Sequence, residues 1–166
     1  MNILLTGASG FIGQHLYSRL RQEGHRVVAA VRDVERFNLV FADAETVSVD
    51  YMRDQQVSTW LPRLKGIDMV INAVGIIQES AAQRFSDLHQ KVPSVLFDAC
   101  EQAGVRRVLQ ISALGAEANA TTLYHQSKFA ADQHLTAKDL DWTILRPSVV
   151  YGPGAKSSAF FRALAA

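Results

Sequence analysis

The sequence contains a single cysteine, Cys100, and has neither a strong excess of charge nor a long hydrophobic run. One cysteine excludes an internal disulfide framework and a cysteine-rich metal site. The 17 Lys and Arg residues nearly balance the 16 Asp and Glu residues, so the net charge of +1 gives no strong attraction for nucleic acid or anionic membranes. The apolar runs are far shorter than a membrane-spanning helix. We therefore expect a globular protein without a nucleic-acid or membrane partner.

The chain length of 166 residues fits one domain with a sizeable core. No low-complexity segment, linker or internal repeat divides it. Met1 and Asn2 lead directly into an apolar segment, without the basic residues that begin a secretion signal. We therefore expect a cytoplasmic protein with a single domain over residues 1–166.

Short apolar strand patterns alternate with longer helical patterns along the chain. The predicted strands are Asn2–Thr6, His25–Val31, Thr46–Val49, Asp68–Asn72, Arg107–Ser112 and Asp141–Leu145. The predicted helices are Phe11–Glu23, Gln55–Leu64, Ala81–Ala103 and Thr122–Ala137. Pro93 should kink or interrupt the third of these helices. This alternation indicates an α/β fold of three layers, a doubly wound parallel sheet in the order 3-2-1-4-5-6 with helices on both faces.

A glycine-rich turn joins the first predicted strand to the first predicted helix, with Gly7, Gly10 and Gly13 in a G-x-x-G-x-x-G spacing. Glycine permits a tight turn, and the helix N-terminus then offers free N–H groups to a pyrophosphate. The remaining residues of the turn that we expect to contact the cofactor are Ser9, Phe11 and Ile12. A turn of small residues also occurs without a ligand, but the strand before and the helix after are what dinucleotide binding requires. The turn therefore predicts a Rossmann-like dinucleotide-binding domain.

The residue after the second predicted strand should distinguish NADP from NAD. An acidic residue about 20 positions after the turn usually binds the ribose of NAD. Here the position is taken by Arg32, and a guanidinium pairs well with a 2′-phosphate. Asp33 follows at once and offers an alternative acceptor for a ribose hydroxyl, and Arg32 could equally be a solvated surface residue. The position favours NADP and leaves NAD open.

The segment Gly7–Gly13 resembles the phosphate turn of the extended short-chain dehydrogenases/reductases, the NAD-dependent epimerase/dehydratase group. Further matches follow in the family's order, and they are Asp50 with Tyr51, the segment Asn72–Gly75, Ser112, Tyr124 with Lys128, and the segment Arg146–Pro153. The matches extend from residue 4 to residue 153, which is nearly the whole chain. Their joint order makes the resemblance specific.

The resemblance implies a role for each matching residue. Asp50 and Tyr51 are expected to meet the adenine. Asn72, Ala73, Val74 and Gly75 are expected beside the cofactor ribose, and Pro147 and Val149 against the nicotinamide carboxamide. Ser112 matches the catalytic serine, and Tyr124 and Lys128 match the Tyr-x-x-x-Lys pair, which also contacts the cofactor.

Within that family, the sequence is most similar to an atypical subgroup. The subgroup includes bacterial proteins related to an accessory subunit of respiratory complex I, and it borders the NmrA-like regulators. His89 stands where many extended members have an asparagine. Ala113 and Leu114 follow Ser112 where sugar-nucleotide epimerases often carry Ser or Thr. Both departures argue against turnover of a sugar nucleotide.

The residue types of the matched set are suited to proton transfer. Tyr124 and Lys128 are four residues apart and share one face of a helix. A nearby ammonium is expected to lower the pKa of the tyrosine from about 10. Ser112, at the end of the fifth predicted strand, is expected to hydrogen-bond the reacting oxygen. No set of acidic residues and histidines has metal-ligand spacing, so no metal site is expected.

Two classes of function remain open. The Ser-Tyr-Lys set favours an enzyme, either an NADP-dependent oxidoreductase or one similar to the nucleoside-diphosphate-sugar epimerases and dehydratases. The two departures favour the alternative, an NADPH-binding sensor or assembly protein without turnover. The small-molecule substrate stays unknown. Members of the family recognise their substrate with a C-terminal lobe, and this chain is expected to be truncated before that lobe. An amphipathic helix is expected to begin at Ser157, and the resemblance also allows a homodimer.

Overall fold

The computed structural model describes residues 1–152, in which six parallel strands form one sheet. The strands are β1 (Asn2–Thr6), β2 (Arg26–Val31), β3 (Glu45–Ser48), β4 (Met69–Asn72), β5 (Arg107–Ile111) and β6 (Asp141–Leu145). Their order is β3-β2-β1-β4-β5-β6. This confirms the doubly wound order predicted from the sequence. Pro153 and the helix expected from Ser157 lie outside the described residues.

Helices connect successive strands across both faces of the sheet. They are α1 (Phe11–Gln22), α2 (Val34–Val40), α3 (Val57–Trp60), α4 (Val92–Ala103) and α5 (Leu123–Thr136). A 3₁₀ turn, Leu61–Leu64, continues α3, and a π-helical segment, Ser86–Lys91, precedes α4. Among residues 1–152, no helix is long and apolar enough to cross a membrane.

Alternate side chains of the central strands bury two separate cores. Leu4 and Val70 belong to the core beneath α4 and α5, whereas Ile3 and Ile71 belong to the core beneath α1 and α2. The parallel register sets Ile3 opposite Met69, and Thr6 opposite Asn72. The carboxyl ends of β1 and β4 therefore meet at the point where their connections pass to opposite faces, which is where ligands bind in such sheets.

One helix was not predicted, and another begins later than predicted. The unpredicted helix is α2, which has only seven residues and is stabilised by a hydrogen bond from the Arg36 N–H to the Asp33 side chain. The helix predicted over Ala81–Ala103 instead begins as the π-helical segment at Ser86. Pro93 lies in the first turn of α4, directly after the π-helical segment, so the predicted helix is interrupted beside this proline.

Candidate functional site

The glycine-rich turn packs so closely against its surroundings that two of its positions admit no side chain. Gly7 has a φ of +71°, and a Cβ there would lie 2.7 Å from the carbonyl carbon of Ala73. A Cβ at Gly13 would lie 2.0 Å from the Gly7 carbonyl oxygen. The Gly10 N–H donates to that same oxygen at 2.9 Å. The turn is thus held between α1 and the loop that follows β4.

The N-terminus of α1 is suited to an anion. Gly10 is its N-cap residue and offers no side-chain acceptor to the first N–H groups of the helix. Ser9 and Gly10 are exposed, and Phe11 and Ile12 are half-buried. A Cβ at Gly152 would lie 2.9 Å from the Phe11 ring, so the segment after β6 reaches the start of this helix. Free amides and the helix dipole together favour a phosphate here.

Arg32 follows β2 as an exposed side chain that makes no hydrogen bond or ion pair with any of residues 1–152. Asp33 beside it is already used as the N-cap of α2, where its Oδ1 accepts the Arg36 N–H at 2.9 Å. The structure therefore separates the two residues that the sequence left as alternatives. Arg32 is available to a ligand, and Asp33 already has a structural partner.

Asn72 lies at the centre of a buried polar network. Its Oδ1 accepts hydrogen bonds from Thr6 Oγ1 at 2.7 Å and from the Tyr51 hydroxyl at 2.8 Å. Its Nδ2 donates to Gln110 Oε1 at 2.7 Å. Burial raises the pKa of Tyr51, so the phenol stays protonated as a donor. Both predicted contact residues, Asn72 and Tyr51, thus lie beneath the surface of the site.

The other residues expected near the adenine and ribose lie in the loops after β3 and β4. Asp50 is half-buried, and its Oδ1 accepts the Met52 N–H at 2.9 Å. Ala73 and Val74 are half-buried beside the glycine turn, and Gly75 is exposed. A Cβ at Gly75 would lie 3.2 Å from Lys128 Nζ. The loop after β4 therefore separates the glycine turn from the lysine.

Lys128 is 4% exposed and held by two backbone carbonyls. Its Nζ donates to the oxygen of Ile111 at 3.0 Å and to that of Val74 at 3.3 Å. Burial lowers the pKa of the amine to about 8, and the charge of Asp132 opposes this shift. The third N–H of the ammonium makes no hydrogen bond within the described part of the chain. A ligand hydroxyl could accept it.

Tyr124 begins α5 one turn before Lys128 and is half-buried among rings. Its ring meets those of Phe85, His89 and His125 edge-on, with centroids 5.7, 5.3 and 5.1 Å away. Its hydroxyl makes no hydrogen bond with residues 1–152. Burial raises the pKa of the phenol, so the expected lowering by Lys128 is not found. The phenol is therefore protonated at neutral pH.

The Ser112 hydroxyl is hydrogen-bonded to Asp132 and makes no hydrogen bond to Tyr124. Ser112 lies just after β5, is 4% exposed, and its Oγ donates to Asp132 Oδ2 at 2.7 Å. No hydrogen bond within residues 1–152 joins Ser112 to Tyr124 or Lys128. The Pro147 oxygen accepts the Leu114 N–H at 2.9 Å, and the Val149 side chain is 62% exposed. The segment after β6 thus borders the end of β5.

His89 is the residue whose importance the sequence did not reveal. It is fully buried in the π-helical segment, and its Nε2 accepts the Ile76 N–H at 3.0 Å. The Nδ1 proton then points to Ser127 Oγ at 3.1 Å, which donates to the Tyr124 carbonyl. Burial and the charge of Lys128 lower the pKa of His89 to about 3. The only sequence signal was its place in the helix, where the family often has asparagine.

Two other histidines, His125 and His134, lie within hydrogen-bond distance of side-chain oxygens. His125 Nδ1 lies 2.7 Å from Thr122 Oγ1, and His134 Nε2 lies 2.7 Å from Asp98 Oδ1. Within residues 1–152, no group of three or more His, Cys, Asp or Glu side chains is arranged to hold a metal ion. Cys100 is buried, and burial raises the pKa of its thiol to about 12.

A family model described as NAD(P)H-binding matches residues 7–159 of the chain. A ceramide reductase from Caulobacter vibrioides is 32% identical over 153 residues, which cover 92% of this chain and 47% of the relative. Subunit 9 of the NADH dehydrogenase 1 alpha subcomplex from Rattus norvegicus is 24% identical over 88% of this chain and 40% of its own length. The chain thus spans less than half of either relative.

Solved structures share the fold. The UDP-glucuronic acid 4-epimerase from Bacillus cereus, in complex with NAD, has a TM-score of 0.75 and 21% identity. The similarity covers 92% of this chain and 58% of the epimerase chain. At this identity, the likeness shows the dinucleotide-binding fold alone.

The neutral His89 predicts a loss of stability in acid. Its pKa is about 3 when folded and about 6.5 when unfolded. Because the folded value is lower, its contribution is complete above pH 6.5 and is lost as the pH falls toward 3. Each unit between these limits costs about 1.4 kcal/mol, so roughly 2 kcal/mol of unfolding free energy is lost by pH 5.

Urea unfolding of the parent and of His89→Asn at several pH values measures this loss. The Asn variant should lose less stability than the parent between pH 6.5 and 5, because it has no imidazole to protonate. His25→Asn, outside the site, is the control and should keep the slope of the parent. Equal slopes for the parent and His89→Asn would contradict the neutral buried histidine.

Proposed function

The chain belongs to the NAD(P)H-binding family, and from that membership we propose that it is an NADP-dependent oxidoreductase. The proposal is carried mainly by one observation. The turn at the α1 N-terminus, with no room for side chains at Gly7 and Gly13, adjoins a loop that ends beside buried Lys128. Tyr124 lies one helical turn away with a hydroxyl that no residue of 1–152 uses. An anion site and a proton donor thus lie at the same sheet edge.

The residues present fit a dinucleotide. The free amides at the start of α1 would hold the pyrophosphate, which approaches the backbone of Gly7, Ser9, Gly10 and Gly13. Asp50 would meet the adenine from the loop after β3. Lys128 would give its remaining N–H to a ribose hydroxyl, and Pro147 and Val149 would border the nicotinamide. Tyr51 and Asn72 would act from beneath, by holding the strand ends that carry these loops.

NADP is the proposed form of the cofactor. Arg32 is exposed at the end of β2 without a partner among the described residues, while Asp33 caps α2. A guanidinium binds a phosphate with charge-assisted hydrogen bonds, whereas it gains little from a ribose hydroxyl. The engagement of Asp33 weakens the alternative in which a carboxylate binds that hydroxyl. NAD therefore remains the second choice.

Tyr124 is proposed as the general acid. When bound, the cofactor supplies the hydride. Because burial keeps the Tyr124 phenol protonated, it can donate a proton to the oxygen of a carbonyl that becomes a hydroxyl. Lys128, one helical turn away, is proposed to bind the cofactor, since the pKa of the phenol is raised by burial and shows no lowering by the ammonium. Ser112 can donate a hydrogen bond to the substrate only if its hydrogen bond to Asp132 breaks. The proposal therefore depends on Tyr124 and Lys128.

The relatives favour a reductase over an epimerase. The ceramide reductase shares 32% identity with this chain, and the departures at His89 and Ala113 argue against sugar nucleotides. We therefore place a carbonyl compound, reduced to an alcohol, as the substrate class. The alternative is an NADPH-binding sensor or assembly protein without turnover. One observation favours it, the donation of the Ser112 proton to Asp132.

Gly10→Val should abolish cofactor binding. The branched side chain would stand at the N-cap of α1, where the phosphates approach, and a Cβ there already lies 3.2 Å from the Gly7 oxygen. Calorimetric titration with NADPH measures the loss. Gly10→Ala is the graded control and should keep more affinity, while circular dichroism checks that both variants are folded. Parent-like affinity in a folded Gly10→Val variant would show that this turn does not hold the cofactor.

Arg32→Ala should weaken NADPH and leave NADH nearly unchanged. Loss of a charge-assisted hydrogen bond costs about 1.5–3 kcal/mol, which corresponds to roughly a tenfold to hundredfold loss of affinity. Arg36→Ala removes the same charge from exposed α2 and should leave both affinities close to the parent values. If Arg32→Ala weakens the two cofactors equally, or neither, the preference for NADP is wrong.

Tyr124→Phe should abolish hydride transfer while preserving the affinity for NADPH. The substitution removes the proton donor but keeps the ring contacts with Phe85 and His89. The measurement is oxidation of NADPH in the presence of a panel of ketones, including long-chain ones, with the parent and the variant in parallel. Turnover by the parent that Tyr124→Phe retains would contradict the general-acid role. Tight binding with no turnover of any ketone by the parent would favour the sensor.

A further inference from the structure

Asp132 is a buried carboxylate that the proposed reaction does not use. It lies on α5 one turn after Lys128 and is 1% exposed. Its Oδ2 accepts a hydrogen bond from Ser112 Oγ at 2.7 Å and from Arg146 Nε and Nη2 at 3.2 and 3.1 Å. Its Oδ1 is buried without any hydrogen-bond partner among the described residues. Burying a half-satisfied carboxylate costs stability, so its presence calls for a compensating role.

The carboxylate joins three elements that border the site. Ser112 follows β5, Arg146 follows β6, and Asp132 itself belongs to the helix that carries Tyr124 and Lys128. A backbone hydrogen bond also joins the ends of β5 and β6, because the Ser112 N–H donates to the Leu145 oxygen at 2.8 Å. A displacement of the Asp132 side chain would therefore change the positions of the ends of both strands and of α5.

The charge of Asp132 also acts on the buried ammonium of Lys128. Both hydrogen bonds of the Lys128 ammonium go to neutral backbone carbonyls. No carboxylate of residues 1–152 forms an ion pair with it. Asp132, one helical turn away on the same face, is the acidic group whose charge acts on this buried ammonium.

We propose that Asp132 is a positioning residue of the cofactor site, which fixes the ends of β5 and β6 through Ser112 and Arg146 and supplies the negative charge that keeps the Lys128 ammonium charged. Its connection to cofactor binding rests on the proposed function, whereas its effect on Lys128 is a property of the chain alone. In this arrangement the Ser112 hydroxyl gives its proton to Asp132.

The groups that face Lys128 set the direction of the effect. Burial lowers the pKa of Lys128 to about 8, and the Asp132 charge opposes that shift. His89, in the π-helical segment, is neutral above its own pKa of about 3 and adds no charge at neutral pH. Tyr124 is a protonated phenol. Burial raises the pKa of Asp132 itself, and the hydrogen bonds from Ser112 and Arg146 oppose that shift and favour the charged carboxylate. Without the carboxylate, Lys128 should therefore lose its proton at a lower pH.

The test is the titration of the Lys128 side chain in the cofactor-free chain, followed by NMR of its Cε and Hε signals. Lys128→Arg assigns the signal by its disappearance. Asp132→Asn keeps the shape of the side chain and an oxygen for Ser112 and Arg146, but removes the charge. The Lys128 midpoint should fall by roughly one pH unit in this variant. The affinity for NADPH should then fall at pH 8 much more than at pH 6.

Asp98→Asn is the matched control, because Asp98 is an acidic residue in an ion pair between α4 and α5 outside the site. It should leave the Lys128 midpoint at the parent value. Asp132→Glu keeps the charge and should also keep the midpoint near that of the parent. If Asp132→Asn does not fold, Asp132→Glu keeps the proposal open to refutation, because a fall of the Lys128 midpoint by roughly a unit in a variant that keeps the charge would overturn it.

A Lys128 midpoint that is unchanged or higher in folded Asp132→Asn would overturn the role of the charge. Failure of the parent to bind any nicotinamide cofactor would instead overturn the proposed function, and the Lys128 titration would still report on Asp132. A loss of thermal stability alone, with the Lys128 midpoint unmoved, would reduce Asp132 to a packing residue. The two hypotheses therefore fail in different measurements.

Discussion

The buried amide of Asn72 is the interaction on which the architecture of the site depends. It joins Thr6 of β1, Gln110 of β5 and Tyr51 after β3 within one network beneath the sheet edge. Such a network is strong when its members are paired, because the low dielectric of the interior strengthens each hydrogen bond. Within this network, Gln110 Nε2 makes no hydrogen bond with any of the described residues. The strand ends are thereby fixed where the loops of the site begin.

The functional groups are arranged around those fixed strand ends. The glycine turn presses against Ala73 so closely that Gly7 admits no Cβ, and the same loop supplies the Val74 carbonyl to Lys128. α5 then carries Tyr124, Lys128 and Asp132 at intervals of one helical turn. His89 connects this helix to the loop through Ser127 and Ile76. A displacement in any one of these parts would change the position of the others.

The fold could be predicted from the sequence because its signals are local and strong. Six apolar strand patterns, separated by helical patterns, were enough to predict the strand order. The spacing of the glycines was enough to predict the turn. In the structure, the loop after β4 lies between the glycine turn and Lys128, and Tyr124 lies one helical turn before that lysine. The partners of buried polar groups could not be predicted, because they depend on side-chain directions in three dimensions. Ser112 was expected to face a substrate, yet it donates to Asp132, which the sequence offered only as another helix residue.

The pKa shifts of the site residues also could not be predicted from the spacing of residues along the sequence. The four-residue interval between Tyr124 and Lys128 predicted a lowered tyrosine pKa, but burial acts in the opposite direction and dominates. His89 looked like a departure from a family pattern, and only its full burial shows that it is a neutral connector. In both residues, burial is the main cause of the shift in pKa.

The most direct test of the central claim is calorimetric titration of this chain with NADPH, NADP, NADH and NAD under identical conditions. The claim is that the glycine turn, Lys128 and Arg32 together form a site for a phosphorylated nicotinamide dinucleotide. The predicted result is binding of one cofactor per chain, with the two phosphorylated forms bound more tightly than the other two. Binding of none of the four would contradict the claim.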